Sequence, residues 1–276
     1  MGFSVLMSVY QGDDPQHLTE ALRSIWDDQS VRPSEIVLVF DGPVPTELER
    51  VVDQWKATLG PVLITERFEV NQGLGAALHR GLSLAGNELV ARMDADDIAS
   101  SERFAIQLAM LEEREDIDIL GSFVQEISFD GKPLGLRTMP SEHHSIVANL
   151  WASPIIHPTV MMRRSRVLSS GNYDPACRRR QDYELWFRCA ANGLRFHNLA
   201  LPLLHYRFGA HTHKKQLPRL ALEQALIGYR GAGRLGMPFY QRAACFIPFI
   251  RSLLPAQVQH LVYKLLTPMD PRRKSK

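Results

Sequence analysis

The feature that most constrains the fold is the alternation of short apolar runs with helical patterns in the first third of the chain. The apolar runs cover residues 3–9, 36–40, 62–65 and 89–93. Short apolar runs bounded by polar residues are typical of buried strands. Between them, apolar residues recur every three or four positions, as on an amphipathic helix. This alternation predicts an α/β fold, with a mostly parallel sheet joined by right-handed crossovers and flanked by helices on both faces.

Polar residues follow the carboxyl ends of the predicted strands. They are Tyr10, Asp41, Asn71 and Asp94. In open sheets of this kind, ligands bind outside the carboxyl ends of the strands. We therefore expect four separate segments to bring polar groups to one crevice.

Three carboxylates are crowded after the fourth apolar run, where Asp94, Asp96 and Asp97 lie within four residues. Three anions beside a sheet repel one another and resist desolvation. This predicts a divalent cation bound through oxygen ligands and shared with a polyphosphate. The alternative interpretation is an acidic loop that caps the next helix.

Local signals predict details of several other elements. Thr46 and Glu49 form a candidate capping box for the second helix. The runs 117–120 and 123–129 predict two separate strands, and the pattern is helical from Pro218 onward.

Composition places few limits on the function. A chain of 276 residues can form one large domain with an appended segment. The net charge of +2 favours no charged partner, and we expect no binding to nucleic acid. The three cysteines lack paired or metal-ligand spacing, which fits reduced thiols. With no basic leader and no apolar stretch near the roughly 20 residues of a membrane span, we expect a cytoplasmic protein.

Seven short segments stand in a characteristic order along the chain. They are Ser8-Val9-Tyr10, Phe40-Asp41-Gly42, Asn71-Gln72-Gly73, Met93-Asp94-Ala95-Asp96-Asp97, His157-Pro158-Thr159, Gln181-Asp182-Tyr183-Glu184-Leu185 and His205-Tyr206-Arg207. Together they resemble the family 2 glycosyltransferases with the GT-A fold, in the bacterial exopolysaccharide and O-antigen branch. We therefore predict a GT-A domain over residues 1–213 and a helical, basic C-terminal extension over residues 214–276.

The resemblance implies an inverting transfer of a sugar from a nucleotide-diphosphate donor to an acceptor hydroxyl, with Mn²⁺ or Mg²⁺ as cofactor. In the family, the residue matching Asp41 contacts the nucleotide base, and the backbone near Tyr10 helps to hold the nucleoside. The acidic triplet binds ribose and metal, which places Asp94 nearer the nucleoside and Asp96 on the cation. Asp182 falls on the position of the general base.

The chemistry needs the same groups. A divalent ion stabilises the negative charge that develops on a departing diphosphate. A carboxylate within about 3 Å of the attacking hydroxyl must remove its proton. Asp182 fits this role, although the N-terminus of a helix stabilises a carboxylate and weakens it as a base unless the site is dry.

Several residues keep two interpretations. Asn71 and Gly73 either contact the donor or form an ordinary strand-to-helix turn. His205 is either a further ligand of metal or diphosphate, as in some GT-A enzymes, or a structural strand residue. The arginines at 178–180 are either a solvated charge run or ligands for the diphosphate of a lipid-linked acceptor.

The acceptor and the location follow from the same resemblance. We expect a saccharide acceptor, in its lipid-linked form, in surface polysaccharide assembly. The apolar residues and arginines after residue 238 either pack on the catalytic domain or form an amphipathic anchor on the inner leaflet of the membrane. One alternative function is a non-catalytic nucleotide-sugar binding protein. A nucleotidyltransferase is a second alternative, but residues 10–14 lack the glycine-rich basic loop expected after its first strand.

Overall fold

The computed structural model describes residues 2–208 and 217–254. The predicted domain boundary after residue 213 and the basic end at residues 271–276 lie outside this part of the chain, so both stay predictions.

Nine strands of the described chain form one sheet. They are β1 (Phe3–Val9), β2 (Glu35–Phe40), β3 (Leu63–Arg67), β4 (Leu89–Arg92), β5 (Ile98–Ala99), β6 (Ile119–Ile127), β7 (Pro133–Arg137), β8 (Met161–Arg163) and β9 (Phe196–Arg207). The order is β3-β2-β1-β4-β8-β6-β9-β5, with β7 paired to β6. The four strands β1 to β4 pair in parallel, as predicted. Beyond β4 the sheet is mixed, because β8 runs antiparallel to both β4 and β6.

Helices cover both faces of this sheet. They are α1 (Pro15–Trp26), α2 (Thr46–Leu59), α3 (Leu74–Leu84), α4 (Arg103–Glu113), α5 (His143–Ala148), α6 (Arg164–Ser169), α7 (Gln181–Ala191), α8 (Pro218–Arg234), α9 (Phe239–Ala244) and α10 (Ile247–Ser252). Side chains alternate along β1, so Val5 and Met7 join the core with α1, α2 and α4, while Leu6 joins the core with α3 and α7. The predicted fold class, including a helical C-terminal region, is confirmed.

Two local predictions were wrong. The capping box is absent: Pro45 holds the N-cap position of α2 with an extended backbone, and no side chain caps the helix. Thr46 is already helical, so its hydroxyl cannot act as the cap, and Glu49 instead pairs with Arg67 at 2.8 Å. The two strands predicted at 117–120 and 123–129 are one strand, β6, in which shifts of register against β9 absorb the interruption.

The parallel pairing positions the site. Since β1, β2, β3 and β4 run in the same direction, the segments after them meet at one edge of the sheet. In the C-terminal part of the described chain, α8 packs on α7 and α10. No helix in residues 2–208 and 217–254 is long and apolar enough to cross a membrane.

Candidate active site

A cavity of about 390 Å³ opens at the carboxyl ends of β1, β2 and β4. It is lined by Ser8, Tyr10, Asp13, Asp41, Asn71, Gly73, Leu74, Asp94, Ala95, Asp96, Arg178 and Arg179. Six residues that the sequence predicts as donor or metal ligands are therefore brought together. They are Tyr10, Asp41, Asn71, Gly73, Asp94 and Asp96. A larger cavity of about 860 Å³ lies at the amino ends of β4, β6 and β9, and contains none of the predicted site residues.

Asp41 connects two of the segments that form the cavity. Its side chain is only 5% exposed, and its carboxylate accepts hydrogen bonds from Asn71 Nδ2 at 2.9 Å, from the backbone N–H of Gln72 at 2.7 Å and from that of Gly73 at 2.9 Å. Gly73 has a φ of 96°, which a residue with a side chain rarely adopts. The segment of residues 71–73 thus forms a strand-to-helix turn fixed by Asp41, and its contact with a donor stays a prediction.

The acidic triplet forms a compact cluster after β4. Asp94, Asp96 and Asp97 each place one carboxylate oxygen within 4.8 Å of the others. Burial, reinforced by the charge of Asp94, raises the pKa of Asp96 to about 6. The same two causes raise the pKa of Asp97 well above its usual range.

Asp97 is the most buried member of this cluster, at 1% exposure. One of its oxygens accepts a hydrogen bond from the backbone N–H of Arg207 at 2.9 Å. Its Oδ2 atom is buried and has no partner among the described residues. A buried carboxylate oxygen without a partner is unfavourable unless a proton or a cation satisfies it.

Buried arginines supply part of the balancing charge, which sequence reasoning missed. The Arg92 guanidinium pairs with Asp94, and Arg103 donates to the carbonyl of Arg92 at 2.7 Å. Burial lowers the pKa of Arg103 to about 9. Arginine side chains therefore supply positive charge beside the acids in addition to any cation that the acids bind. The raised pKa of Asp96 and the unpartnered oxygen of Asp97 still fit a divalent cation held by oxygen ligands.

Asp13 is a fourth acid of the cavity wall that the sequence did not reveal. It lies in the loop after β1, where its Oδ2 accepts a hydrogen bond from the backbone N–H of Tyr10 at 2.9 Å. Burial raises the pKa of Asp13 to about 7, and the charges of Asp96 and Asp94 act in the same direction. In sequence it resembles its neighbour Asp14, which simply caps α1 by accepting from two backbone N–H groups.

Asp182 lies in the first turn of α7 and is half-buried. It does not line the cavity, but Arg179, three residues earlier, does. Burial raises the pKa of the Asp182 carboxyl, against the lowering effect of Arg180, and the charge of Asp94 also raises it. The effect of burial therefore outweighs that of the helix N-terminus. The carboxylate is a stronger base than an ordinary aspartate.

His205 lies on the strand that pairs with β5, directly after the acids, but outside their cluster. It lies on β9, where it pairs with Ile98 and is exposed. Partial burial of its ring lowers its pKa, and no carboxylate contributes to the shift. His205 neither lines the cavity nor belongs to the cluster of Asp94, Asp96 and Asp97. Among residues 2–208 and 217–254, the acidic cluster groups three candidate metal ligands, and the role of His205 as a further ligand stays a prediction.

Comparison with known proteins gives a consistent result. Residues 4–171 match the family described as Glycosyl transferase family 2. The chain is 36% identical over 215 residues to UDP-Gal:alpha-D-GlcNAc-diphosphoundecaprenol beta-1,3-galactosyltransferase of Escherichia coli, which covers 78% of this chain and 77% of that protein. It is 33% identical to the amylovoran biosynthesis glycosyltransferase AmsE of Erwinia amylovora, over 95% of this chain and 98% of that protein.

A solved structure shows the same fold. The crystal structure of S. aureus TarS 1-349 in complex with UDP-GlcNAc superposes with a TM-score of 0.68, over 91% of this chain and 72% of that one. The sequences are 19% identical, so this likeness describes the fold alone.

Proposed function

Since this chain belongs to glycosyl transferase family 2, we propose that it transfers a sugar, with inversion, from a nucleotide-diphosphate donor to a hydroxyl of a lipid-linked saccharide. The observation that carries the proposal is the convergence of Tyr10, Asp41, Asp94 and Asp96 on one cavity. The printed names of the relatives support the substrate class. One acts on a diphosphoundecaprenol-linked sugar, and another belongs to amylovoran biosynthesis.

The donor is proposed to occupy the cavity with its nucleoside toward Tyr10, Asp41 and the turn of residues 71–73. Its diphosphate then lies toward Asp94 and Asp96. This orientation is supported by the chemistry of the lining groups. The end of β4 supplies clustered carboxylates that can share a cation with a diphosphate, whereas the turn is a hydrogen-bonded network around the single carboxylate of Asp41.

Asp94, Asp96 and Asp97 are the residues proposed to hold a divalent cation, Mn²⁺ or Mg²⁺. When bound, such an ion stabilises the negative charge on the leaving diphosphate. Arg92 holds Asp94 in place from the buried side through an ion pair. One oxygen of each carboxylate thus lies within 4.8 Å of the others before any ligand arrives.

Asp182 is proposed as the general base that removes the proton of the attacking hydroxyl. Its raised pKa supports this role, because a base is more effective as its pKa approaches the working pH. Inversion requires the hydroxyl to approach from the face opposite the leaving diphosphate. Asp182 is carried by α7 and not by the strand edge that carries the acids, and we propose that it acts from the acceptor side of the donor.

The proposal is tested by measuring sugar transfer from a panel of nucleotide sugars to a synthetic polyprenyl-diphosphate sugar, with and without Mn²⁺. We expect Asp182→Asn to reduce transfer about 10²- to 10⁴-fold while leaving the donor dissociation constant unchanged. Asp96→Asn is expected to reduce both transfer and the effect of Mn²⁺ on donor binding. Donor binding without any transfer by the wild-type protein would instead support a non-catalytic nucleotide-sugar binding protein.

We also propose that the surface formed by α9 and α10 rests on the cytoplasmic face of the inner membrane. Phe239 is 73% exposed, and Tyr240, Ile250 and Leu253 are also exposed. Residues 217–254 contain five arginines and one glutamate, which favours an anionic lipid surface. Flotation with vesicles containing phosphatidylglycerol should recover the protein, and a double change of Phe239 and Ile250 to serine should abolish this recovery. A wild-type protein that stays unbound at low salt would contradict the proposal.

A further inference from the structure

Two arginines line the same cavity as the acids. Among the described lining residues, Asp13, Asp41, Asp94 and Asp96 are acidic, whereas Arg178 and Arg179 are the basic members. A diphosphate carries several negative charges and would be repelled by four carboxylates without nearby cations. Within residues 2–208 and 217–254, this pair supplies the positive charge of the cavity lining, to which a metal on the acidic cluster would add.

The close approach of two segments far apart in sequence holds the arginines there. A Cβ atom at Gly75 would lie 2.3 Å from the carbonyl oxygen of Cys177, and one at Gly73 would lie 3.2 Å from Arg178. The two glycines therefore allow residues 177–178 to lie against the start of α3. Arg178 completes this contact by donating to the backbone oxygen of Asn71 at 3.2 Å and to its Oδ1 at 2.8 Å.

Arg179 is placed differently from its two neighbours. Its guanidinium has no hydrogen bond or ion pair within residues 2–208 and 217–254, and its charge acts on the hydroxyl of Tyr10. Arg180 has a φ of 59° and turns the chain into α7 without lining the cavity. Arg178 is already hydrogen-bonded to Asn71, whereas the planar set of N–H donors of Arg179 is available to a ligand.

We propose that Arg179 binds the diphosphate group of a substrate held in this cavity, and that Arg178 is a positioning residue that fixes the segment against Asn71. This inference rests on the proposed function. The diphosphate belongs either to the nucleotide donor or to the lipid carrier of the acceptor. Both present the same pairs of anionic oxygens, which match the bidentate geometry of a guanidinium.

The test compares UDP with uridine by isothermal titration calorimetry in the presence of Mn²⁺. If Arg179 contacts the donor, Arg179→Gln should weaken UDP binding about 10- to 100-fold and leave uridine binding unchanged. The UDP affinity of Arg179→Lys should lie between those of the wild type and Arg179→Gln, because lysine keeps the positive charge but lacks the planar set of N–H donors. Arg50→Gln is the matched control, since Arg50 is an exposed arginine of α2 that does not line the cavity. Unchanged uridine binding also shows that the variant is folded.

The second arm measures steady-state transfer to a polyprenyl-diphosphate sugar. If Arg179 contacts the acceptor, Arg179→Gln should leave UDP affinity unchanged and raise the KM for this acceptor about 10-fold or more. The inference is overturned if neither UDP affinity nor the acceptor KM changes, or if UDP and uridine weaken equally.

Failure of the proposed function would look different. A wild-type protein that binds no UDP, GDP, ADP or dTDP would refute the nucleotide-sugar proposal. Arg179 is then tested with inorganic pyrophosphate alone. A weaker binding of pyrophosphate by Arg179→Gln would support the anion site, and unchanged binding would overturn it.

Discussion

Asp41 should be as important for stability as for binding, because its carboxylate is already occupied within the protein. It accepts hydrogen bonds from the side chain of Asn71 and from the backbone N–H groups of Gln72 and Gly73. We predict that Asp41→Asn destabilises the protein in the absence of any ligand. The substitution keeps the size of the side chain and replaces one accepting oxygen by an NH₂ group that faces donors.

The magnitude follows from these contacts. Gly73 N–H and Asn71 Nδ2 both reach the Oδ2 atom, at 2.9 Å each. Gly73 N–H also reaches Oδ1 at 3.1 Å, so an oxygen kept at that position preserves both backbone contacts and about one hydrogen bond is lost. A hydrogen bond to a charged acceptor contributes about 1.5–3 kcal/mol. We therefore expect a loss of about 2–3 kcal/mol in the free energy of unfolding. In a chain of this size, that corresponds to a fall in Tm of about 4–12 °C.

The assay is equilibrium unfolding in urea of the ligand-free protein, with Tm as a second measurement. Asp53→Asn is the matched control, because Asp53 is an exposed aspartate of α2. The same chemical change should alter the free energy of unfolding there by less than about 0.5 kcal/mol. UDP binding is then measured below the transition, where both variants are folded.

A free energy of unfolding for Asp41→Asn within about 0.5 kcal/mol of the wild-type value would refute this reasoning. It would mean that other contacts hold the turn of residues 71–73, and that Asp41 contributes to ligand binding and not to stability.

Three further predictions concern the same region. The raised pKa of Asp13 means that the folded protein holds a proton that the unfolded chain releases, so the free energy of unfolding of the metal-free protein should fall as the pH rises from about 4 through about 7. Asp13→Asn should reduce this dependence of the free energy of unfolding on pH, measured across that range. An unchanged dependence would contradict the prediction. Gly75→Ala should lower Tm and raise the KM for the donor, since its Cβ would meet the Cys177 carbonyl, and unaltered values would show that the segment can move away at little cost. Mn²⁺ should raise the Tm of the wild-type protein but not that of Asp97→Asn, and an equal rise in both would exclude Asp97 from the metal site.

The first half of the fold could be predicted because its signals are local. Periodicity identified β1, β2, α1 and α3, and parallel pairing followed from the alternation. Beyond β4 the pairing is mixed, and β8 reverses direction between β4 and β6. Nothing in the spacing of a three-residue strand specifies its neighbours, because that choice depends on contacts between distant segments.

The sequence by itself determined that acids and polar turns would follow parallel strands, and hence that Tyr10, Asp41, Asn71 and Asp94 would meet at one edge. Only the tertiary structure decided which charges surround them. Arg92 is directed at Asp94 from within the sheet, and Arg178 contacts Asn71, which lies 107 positions away in sequence. Tertiary packing also left Asp13 half-buried beside Asp94 and Asp96, which raises its pKa. The physical reason is that the periodicity of a strand or helix depends on residues close together in sequence, whereas burial and charge pairing arise only when segments remote in sequence come into contact.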